Sequence, residues 1–253
     1  MRYYKTLIII VLSVSCAVSQ ALLEPDSLYK IGNQAMLQED FVTAIENYTQ
    51  ILNQDKSHPD LYYNLGNAYY RLDQIGNAVW AFEKGLQLDP RDKDLKFNLS
   101  LAQARVRDRI DTPQSMFVLE QYRALKKSTT LIDIILTASA LLMLGTFVYF
   151  LKRYYGWQSI WISRLIITLL VISVFVHLMA LDKYYEISDT KEIIIIQPTV
   201  DIYPAPFDRR ETTLFRLHEG VKAEITQEQP GWLEIVLIDG KKGWIQSENV
   251  RYL

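Results

Sequence analysis

Residues 59–92 read PDLYYNLGNAYYRLDQIGNAVWAFEKGLQLDPRD, and this stretch decides the fold of the N-terminal half of the chain. Gly66 and Ala78 are small where the two helices of a hairpin must approach each other closely, and the larger Tyr69 and Phe82 fill the space around them. A single hairpin leaves one face open, which a neighbouring copy has to cover. The stretch therefore predicts a helical hairpin within a repeat array.

The same pattern recurs at an offset of 34 residues on both sides of this stretch. Three sets of positions align: Asp26, Asp60 and Asp94; Tyr29, Tyr63 and Phe97; and Ile31-Gly32, Leu65-Gly66 and Leu99-Ser100. The third copy supplies only its first helix, Asp92 to about Arg107, which has the polar face expected of a terminal cap. The period predicts an all-α solenoid over residues 22–108.

This repeat resembles the tetratricopeptide repeat, whose signature positions in the second copy hold Tyr62, Leu65, Gly66, Tyr69, Ala78, Phe82 and Pro90. The match departs at Gly85, where alanine is usual, and in the first copy at Ala35 and Lys56. In this family the first helices line a concave groove that commonly holds peptides. The resemblance implies groove positions at Tyr29, Asn33, Tyr63, Asn64, Asn67, Tyr70, Arg71, Phe97, Asn98 and Arg105.

Two observations limit what this groove can be predicted to bind. The lysines of the carboxylate-clamp subset are replaced by Tyr29 and Asp94, which argues against recognition of a C-terminal carboxylate. The alternative role of Tyr63 and Phe97 is structural, as packing between adjacent repeats.

The N-terminus predicts a secretory signal peptide over residues 1–19. Basic residues precede an apolar stretch at 6–18 that is shorter than the ~20 residues of a membrane-spanning helix. Small residues favour cleavage after Ser19 or, alternatively, after Ala21. A competing interpretation makes Cys16 a lipidated N-terminus.

Two later apolar runs, residues 131–151 and 160–181, have the length of transmembrane helices. Their charged or titratable residues, Asp133, Arg164 and His177, lie within about one turn of a membrane interface, which indicates an anchor and not a transport path. The eight-residue loop between the runs requires a helical hairpin. The preceding linker, residues 109–130, predicts either an interfacial helix or an extension of the first span.

The signal sends the chain across the membrane, and the two spans return it to the same side. Three basic residues in or beside the short loop, Lys152, Arg153 and Arg164, agree with the positive-inside rule. Three before the first span, Arg123, Lys126 and Lys127, oppose it. Because the first inserted segment usually dominates, both soluble regions are predicted to be periplasmic, on a two-span protein of the bacterial inner (cytoplasmic) membrane.

After Lys191 the sequence changes to short β-rich runs separated by turn residues, at 193–196, 200–203, 221–226, 233–238 and 243–246. Asp239-Gly240 is a hairpin signal, and five short strands indicate a small all-β barrel over residues 191–253.

Four segments of this region resemble the bacterial SH3-like domain: VDIYPAP at 200–206, LHEG at 217–220, GW at 231–232 and DGKKGWI at 239–245. Its relatives often bind cell-wall peptides or act as non-catalytic partners of envelope proteins. The resemblance implies Tyr203, Trp232 and Trp244 as ligand-facing aromatic residues. Packing in the core and turns is the alternative role of the two tryptophans.

Composition and motifs argue against several functions. The 27 Lys and Arg residues nearly balance 29 Asp and Glu, so a basic nucleic-acid-binding face is not expected. His58, His177 and His218 fall in three different segments, and the sequence contains no HExxH, P-loop, GxSxG or GxGxxG motif. A single cysteine excludes a CxxC pair. No catalytic residue, metal site or cofactor is predicted.

The fold class predicted is therefore a multidomain membrane protein, and its order of segments resembles the BatE-type membrane proteins of aerotolerance operons. That resemblance implies von Willebrand factor A domain membrane proteins and a MoxR-type ATPase system as partners, with a role in oxidative or envelope stress tolerance. The function predicted is a non-catalytic adaptor that assembles envelope proteins. The alternative is a peptidoglycan-binding protein that recruits a cell-wall enzyme.

Overall fold

The computed structural model describes residues 24–110, 116–189, 191–207 and 212–253. The predicted signal peptide and Cys16 lie outside these ranges, as do residues 111–115 of the predicted linker. The chain divides into two compact units, residues 1–57 and 58–253.

The first unit contains a helical hairpin of α1 (Pro25–Leu37) and α2 (Phe41–Leu52). Asp40 caps α2 by accepting a hydrogen bond from the Thr43 amide at 3.1 Å. Gly32 lets the helices approach, since a Cβ there would lie 2.5 Å from Cε1 of the fully buried Tyr48. The hairpin that the first repeat copy predicts is therefore present.

The second unit begins with α3 (Pro59–Arg71), α4 (Ile75–Leu88) and α5 (Lys93–Arg105). Gly66 of α3 faces Phe82 of α4, and a Cβ at Gly66 would lie 2.7 Å from the Phe82 Cδ1 atom. A Cβ at Gly85 would lie 2.9 Å from both methyl carbons of Leu95, which explains why glycine replaces the usual alanine there. The part of the third copy that the structure describes contains one helix, α5.

Helix α6 (Phe117–Lys127) is separate from α7 (Leu131–Tyr155). Thr130 and Asp133 form a capping box that starts α7, so α6 is not an extension of the first span. Lys126 of α6 pairs with Asp182 at 2.6 Å and Glu186 at 3.0 Å on α8 (Ile160–Asp189). These ion pairs hold α6 beside the end of α8.

Helices α7 and α8 form an antiparallel hairpin. The Ser173 hydroxyl donates to the Ala138 carbonyl at 2.9 Å, and Gly145 admits the Leu170 side chain. Both helices continue beyond the predicted spans, because charged residues complete the last turn of α7 before Gly156 ends it and α8 extends to Asp189. The connection is therefore four residues, 156–159, instead of eight.

The C-terminal region contains seven short strands in its described part: β1 (Glu192–Ile195), β2 (Thr199–Ile202), β3 (Phe215–His218), β4 (Lys222–Gln229), β5 (Trp232–Val236), β6 (Lys242–Gln246) and β7 (Val250–Tyr252). A five-stranded antiparallel sheet has the order β6-β5-β4-β1-β7, and β2 pairs with β3. Apolar residues of both sheets form one core, which includes Ile193, Ile202, Leu217, Ile235 and Ile245.

The prediction of a closed barrel is wrong. Among the described residues of this region, a single bridge between Tyr203 and Trp244 joins the two-stranded sheet to β6, and β7 is a three-residue edge strand. The sequence also missed β3 and β7. The region is thus β-rich, with two sheets that pack on a shared core.

The Gly66→Ala variant should lower the stability of the second hairpin. Alanine favours a helix by ~1 kcal/mol over glycine, but overpacking against Phe82 costs roughly 1–3 kcal/mol. The net loss is therefore up to ~2 kcal/mol. Thermal unfolding of the full chain in detergent, followed by helical circular dichroism, measures the loss. Gln103→Ala, at an exposed position of α5, is the control and should leave the transition unchanged. A transition raised by the full ~1 kcal/mol that alanine adds in helix propensity would contradict the close approach.

Candidate functional site

The predicted groove residues of the second unit lie on α3 and α5. Tyr63, Asn67 and Tyr70 share one face of α3, being four and three residues apart. The side-chain amide of Asn98 on α5 donates to Oδ1 of Asn67 at 2.8 Å. The structure therefore brings these two predicted residues together in a bond that links the helices.

Arg105 is the second link between these helices. Its guanidinium lies 5.1 Å from the centre of the Tyr70 ring and forms an ion pair with Asp73. Phe97, also on α5, is 62% exposed, whereas Tyr63 is half-buried. Helices α3 and α5 thus carry a paired amide and a cation held over a ring, and Phe97 adds an exposed aromatic ring about 100° around α5 from Asn98.

Two further predicted residues complete the α3 face. Asn64 is half-buried and Arg71 is exposed in the last turn. A carboxamide has two N–H donors and an acceptor oxygen, so the bond between Asn67 and Asn98 leaves capacity for peptide backbone groups. This is the chemistry that an extended peptide requires.

The predicted residues of the first unit make contacts within their own hairpin. Asn33 accepts a hydrogen bond from the Tyr48 hydroxyl at 2.7 Å, and the rings of Tyr29 and Tyr48 have centroids 6.0 Å apart. Both predicted residues are half-buried. They therefore contribute to the packing of α1 on α2.

The three predicted aromatic residues of the β-rich region lie close together. The Tyr203 and Trp232 rings meet edge to face with centroids 5.6 Å apart, and the Tyr203 and Trp244 backbones exchange hydrogen bonds of 2.9 and 2.8 Å. Tyr203 is 8% exposed and Trp244 7%, while Trp232 is half-buried. Trp232 is therefore the most accessible of the three to a ligand.

Sequence reasoning missed a set of contacts between α4 and the β-rich region. Gly76, Trp80 and Glu83 form one stripe along α4, and the Trp80 indole N–H donates to the Tyr252 carbonyl at 2.9 Å. The helical spacing of these three residues is visible in the sequence, but it does not identify Tyr252, which lies 172 residues after Trp80, as a partner.

No group of three His, Cys, Asp or Glu side chains that could hold a metal ion occurs in the described ranges. What the described surface offers is hydrogen bonding, ring contact and charge pairing, as a binding site for peptides requires.

Comparison with known families identifies three segments. Residues 32–73 match the model described as TPR repeat, residues 59–92 the tetratricopeptide repeat and residues 197–251 the bacterial SH3 domain. The predicted repeats and the predicted SH3 domain are thereby confirmed. No curated protein matches the chain.

Several solved structures are similar in part. The Sgt2 TPR domain from Aspergillus fumigatus is 26% identical, with 42% of this chain covering 62% of that domain, at a TM-score of 0.31. YrrB, a TPR protein with an unusual peptide-binding site, is 18% identical over 69% of this chain and 87% of its own, at a TM-score of 0.32. MamA is 17% identical over 65% and 94%, at a TM-score of 0.31.

The Trp244→Ala variant should unfold the SH3 domain instead of only removing a ligand contact. Truncating a buried aromatic side chain to alanine costs roughly 3–5 kcal/mol, a large share of a small domain's stability. Near-ultraviolet circular dichroism and thermal melting of the full chain measure the effect. Ile238→Ala, at a side chain that is 59% exposed, is the control. A native-like Trp244→Ala spectrum and melting temperature would show that this ring is not part of the core.

Proposed function

We propose that this protein is a membrane-anchored, non-catalytic adaptor that binds extended peptide segments of envelope proteins on its tetratricopeptide repeats. The TPR repeats and the SH3 domain support a protein-interaction adaptor. The observation that carries the proposal is the face of α3 and α5, where exposed Phe97 lies on the helix that also supplies Asn98 and Arg105.

Peptide binding follows from the chemistry of that face. An exposed phenylalanine offers rigid apolar area, and the paired amides of Asn67 and Asn98 match the donors and acceptors of a peptide backbone. Arg105 is already held by Asp73 and Tyr70, so little side-chain entropy is lost when it contacts an acidic group.

Membrane anchoring rests on α7 and α8, which are long and apolar enough to cross a membrane. Fewer than a quarter of the residues in each apolar window are buried within the protein. Phe147 and Phe150 on α7 and Val171 and Phe175 on α8 are all more than half exposed. Apolar surface of this extent supports a lipid environment around both helices.

The orientation proposed is periplasmic for both soluble regions, with the protein in the bacterial inner membrane. Lys152 and Arg153 at the end of α7 and Arg164 in the first turns of α8 support a cytoplasmic connection between the helices. The predicted signal peptide supports the same orientation.

The resemblance to BatE-type proteins extends the proposal to partners and physiology. It supports von Willebrand factor A domain membrane proteins and a MoxR-type ATPase system as partners, and oxidative or envelope stress tolerance as the role. This part of the proposal depends on the order of domains and on no single side chain.

The Phe97→Ala variant should weaken binding of a peptide partner. Removing an aromatic anchor from a binding site typically costs ~1–3 kcal/mol, or roughly fivefold to more than a hundredfold in Kd. A photoreactive amino acid at Leu101 in living cells would first identify the captured segment. A synthetic copy of that segment would then be titrated against the full chain in detergent by fluorescence anisotropy.

Leu88→Ala is the matched control, because Leu88 is 43% exposed but lies at the end of α4. It should bind the segment with unchanged affinity. Equal affinities for wild type and Phe97→Ala would contradict binding on this face.

The second candidate function is peptidoglycan binding through the SH3 domain, which the accessible Trp232 beside Tyr203 favours. Purified sacculi mixed with the full chain in detergent discriminate between the two functions. The adaptor proposal predicts that the protein stays in the supernatant after sedimentation. Pelleting that Trp232→Ala abolishes would instead favour the cell-wall function.

A further inference from the structure

The SH3 domain supplies the cap of helix α4. Gln74, at the N-cap position, makes no capping hydrogen bond with its side chain. The Glu219 carboxylate, in the turn between β3 and β4, instead accepts a 2.7 Å hydrogen bond from the Gly76 amide. An anion at a helix N-terminus satisfies a free N–H group and interacts favourably with the helix dipole.

Gly76 also permits backbone contact between the two domains. A Cβ at this position would lie 2.5 Å from the Ile195 carbonyl oxygen and 2.9 Å from Cα of Ile196. Both are backbone atoms, so neither can swing aside as a flexible side chain would. Only glycine fits at this point while the domains remain in contact.

One turn further along α4, Trp80 forms the centre of the contact. Its indole N–H donates to the Tyr252 carbonyl at 2.9 Å, and the Arg251 guanidinium lies 4.5 Å from the centre of its ring. Arg251 also donates to the Tyr69 hydroxyl at 3.2 Å. The edge strand β7 is therefore bound to two aromatic residues of the second repeat.

An ion cluster completes the stripe. Glu83 on α4 is only 7% exposed, and Lys222 of β4 lies 3.7 Å from it and 2.7 Å from Glu192. Burial alone would lower the pKa of Lys222, but the attraction of Glu83 and Glu192 outweighs it and raises the pKa above its usual value. A buried carboxylate requires such a partner, and Lys222 provides it.

The chain that leaves α5 runs onto the SH3 domain, where a second helix of the third repeat would otherwise follow. Val106 and Ile110 pack against the core of the domain. The Asp108 carboxylate accepts hydrogen bonds from the His218 amide at 2.6 Å and from His218 Nδ1 at 2.9 Å. The third copy is thus completed by contacts with the SH3 domain.

We propose that the SH3 domain is a fixed partner of its own chain's second repeat, docked through Glu219, Lys222, Arg251 and Tyr252 on the Gly76, Trp80 and Glu83 stripe of α4. It takes the place of the missing helix and caps the repeats. This inference does not rest on peptide binding.

A topological consequence follows. The two docked parts precede and follow the α7–α8 hairpin, so direct contact between them requires both to lie on one side of the membrane. The docking face is on α4 and includes the Tyr69 hydroxyl of α3, whereas the residues proposed to bind peptide are other residues of α3 and α5. The SH3 domain therefore orients the repeats without using the residues proposed to bind peptide.

The test measures the distance between the two domains by pulsed electron–electron double resonance. The sample is the full chain, reconstituted with one copy in each nanodisc. Cys16→Ser removes the native thiol, and spin labels are attached to the Gln103→Cys and Gln227→Cys positions, both exposed. The docked domain predicts one narrow distance distribution. Gly76→Ala should broaden it because the added Cβ meets the Ile195 backbone, and Glu219→Gln, which keeps an acceptor oxygen, should broaden it less. Gln87→Ala, exposed on the same helix, is the control and should leave it narrow.

Helical circular dichroism of each variant checks that the repeats remain folded, and Trp80→Phe gives a second test if Gly76→Ala unfolds. That variant keeps an aromatic ring but loses the N–H donor, and it should also broaden the distribution. A broad distance distribution in the wild type would overturn the proposal. A distribution that Gly76→Ala and Trp80→Phe both leave unchanged would overturn it as well. In detergent, a dipolar signal between chains that each carry one label would assign the docking face to a second copy and overturn it equally.

Discussion

The soluble parts of this protein depend on one constraint of the proposed membrane anchoring. Under that proposal, two apolar helices joined by only four residues return the chain to the side of the membrane that it left. Residues before α7 and after α8 are therefore available to each other without crossing lipid. The contacts of α4 with β4, β7 and the β3–β4 turn join these two parts of the chain. A chain with one span, or with three, could not make these contacts within a single molecule.

The repeats could be predicted from the sequence because their determining contacts are local. Gly66 with Phe82 and Gly32 with Tyr48 lie 16 residues apart, within one hairpin, and the 34-residue period exposes them directly. The ends of α7 and α8 were less predictable, since charged residues continue both helices past the apolar runs. Helical hydrogen bonding and the capping residues Thr130 and Gly156 set the observed bounds of α7.

In the β-rich region, the local sequence pattern was insufficient to predict every strand and the way the sheets meet. Strands β3 and β7 are four and three residues long, and their hydrogen bonds go to β2 and β1. Barrel closure likewise depends on which edges meet, and in the described residues one backbone bridge, Tyr203–Trp244, joins the edges of the two sheets. Of the candidate site, the sequence placed Asn67 and Asn98 on the first helices of adjacent repeat copies, but it did not predict the hydrogen bond between them. The cap of α4 joins Gly76 to Glu219, which are 143 positions apart, and no sequence period or motif predicts this contact.

The central claim is that both soluble domains lie on one side of the membrane, outside the cytoplasm. The most direct measurement is labelling of single cysteines with a membrane-impermeant maleimide in spheroplasts of a Cys16→Ser background. Gln103→Cys on α5 and Gln227→Cys on β4 should both react from outside, whereas Gln158→Cys, between α7 and α8, should react only after permeabilisation. If Gln103→Cys and Gln227→Cys reacted from opposite sides, or if both required permeabilisation, the claim would be contradicted.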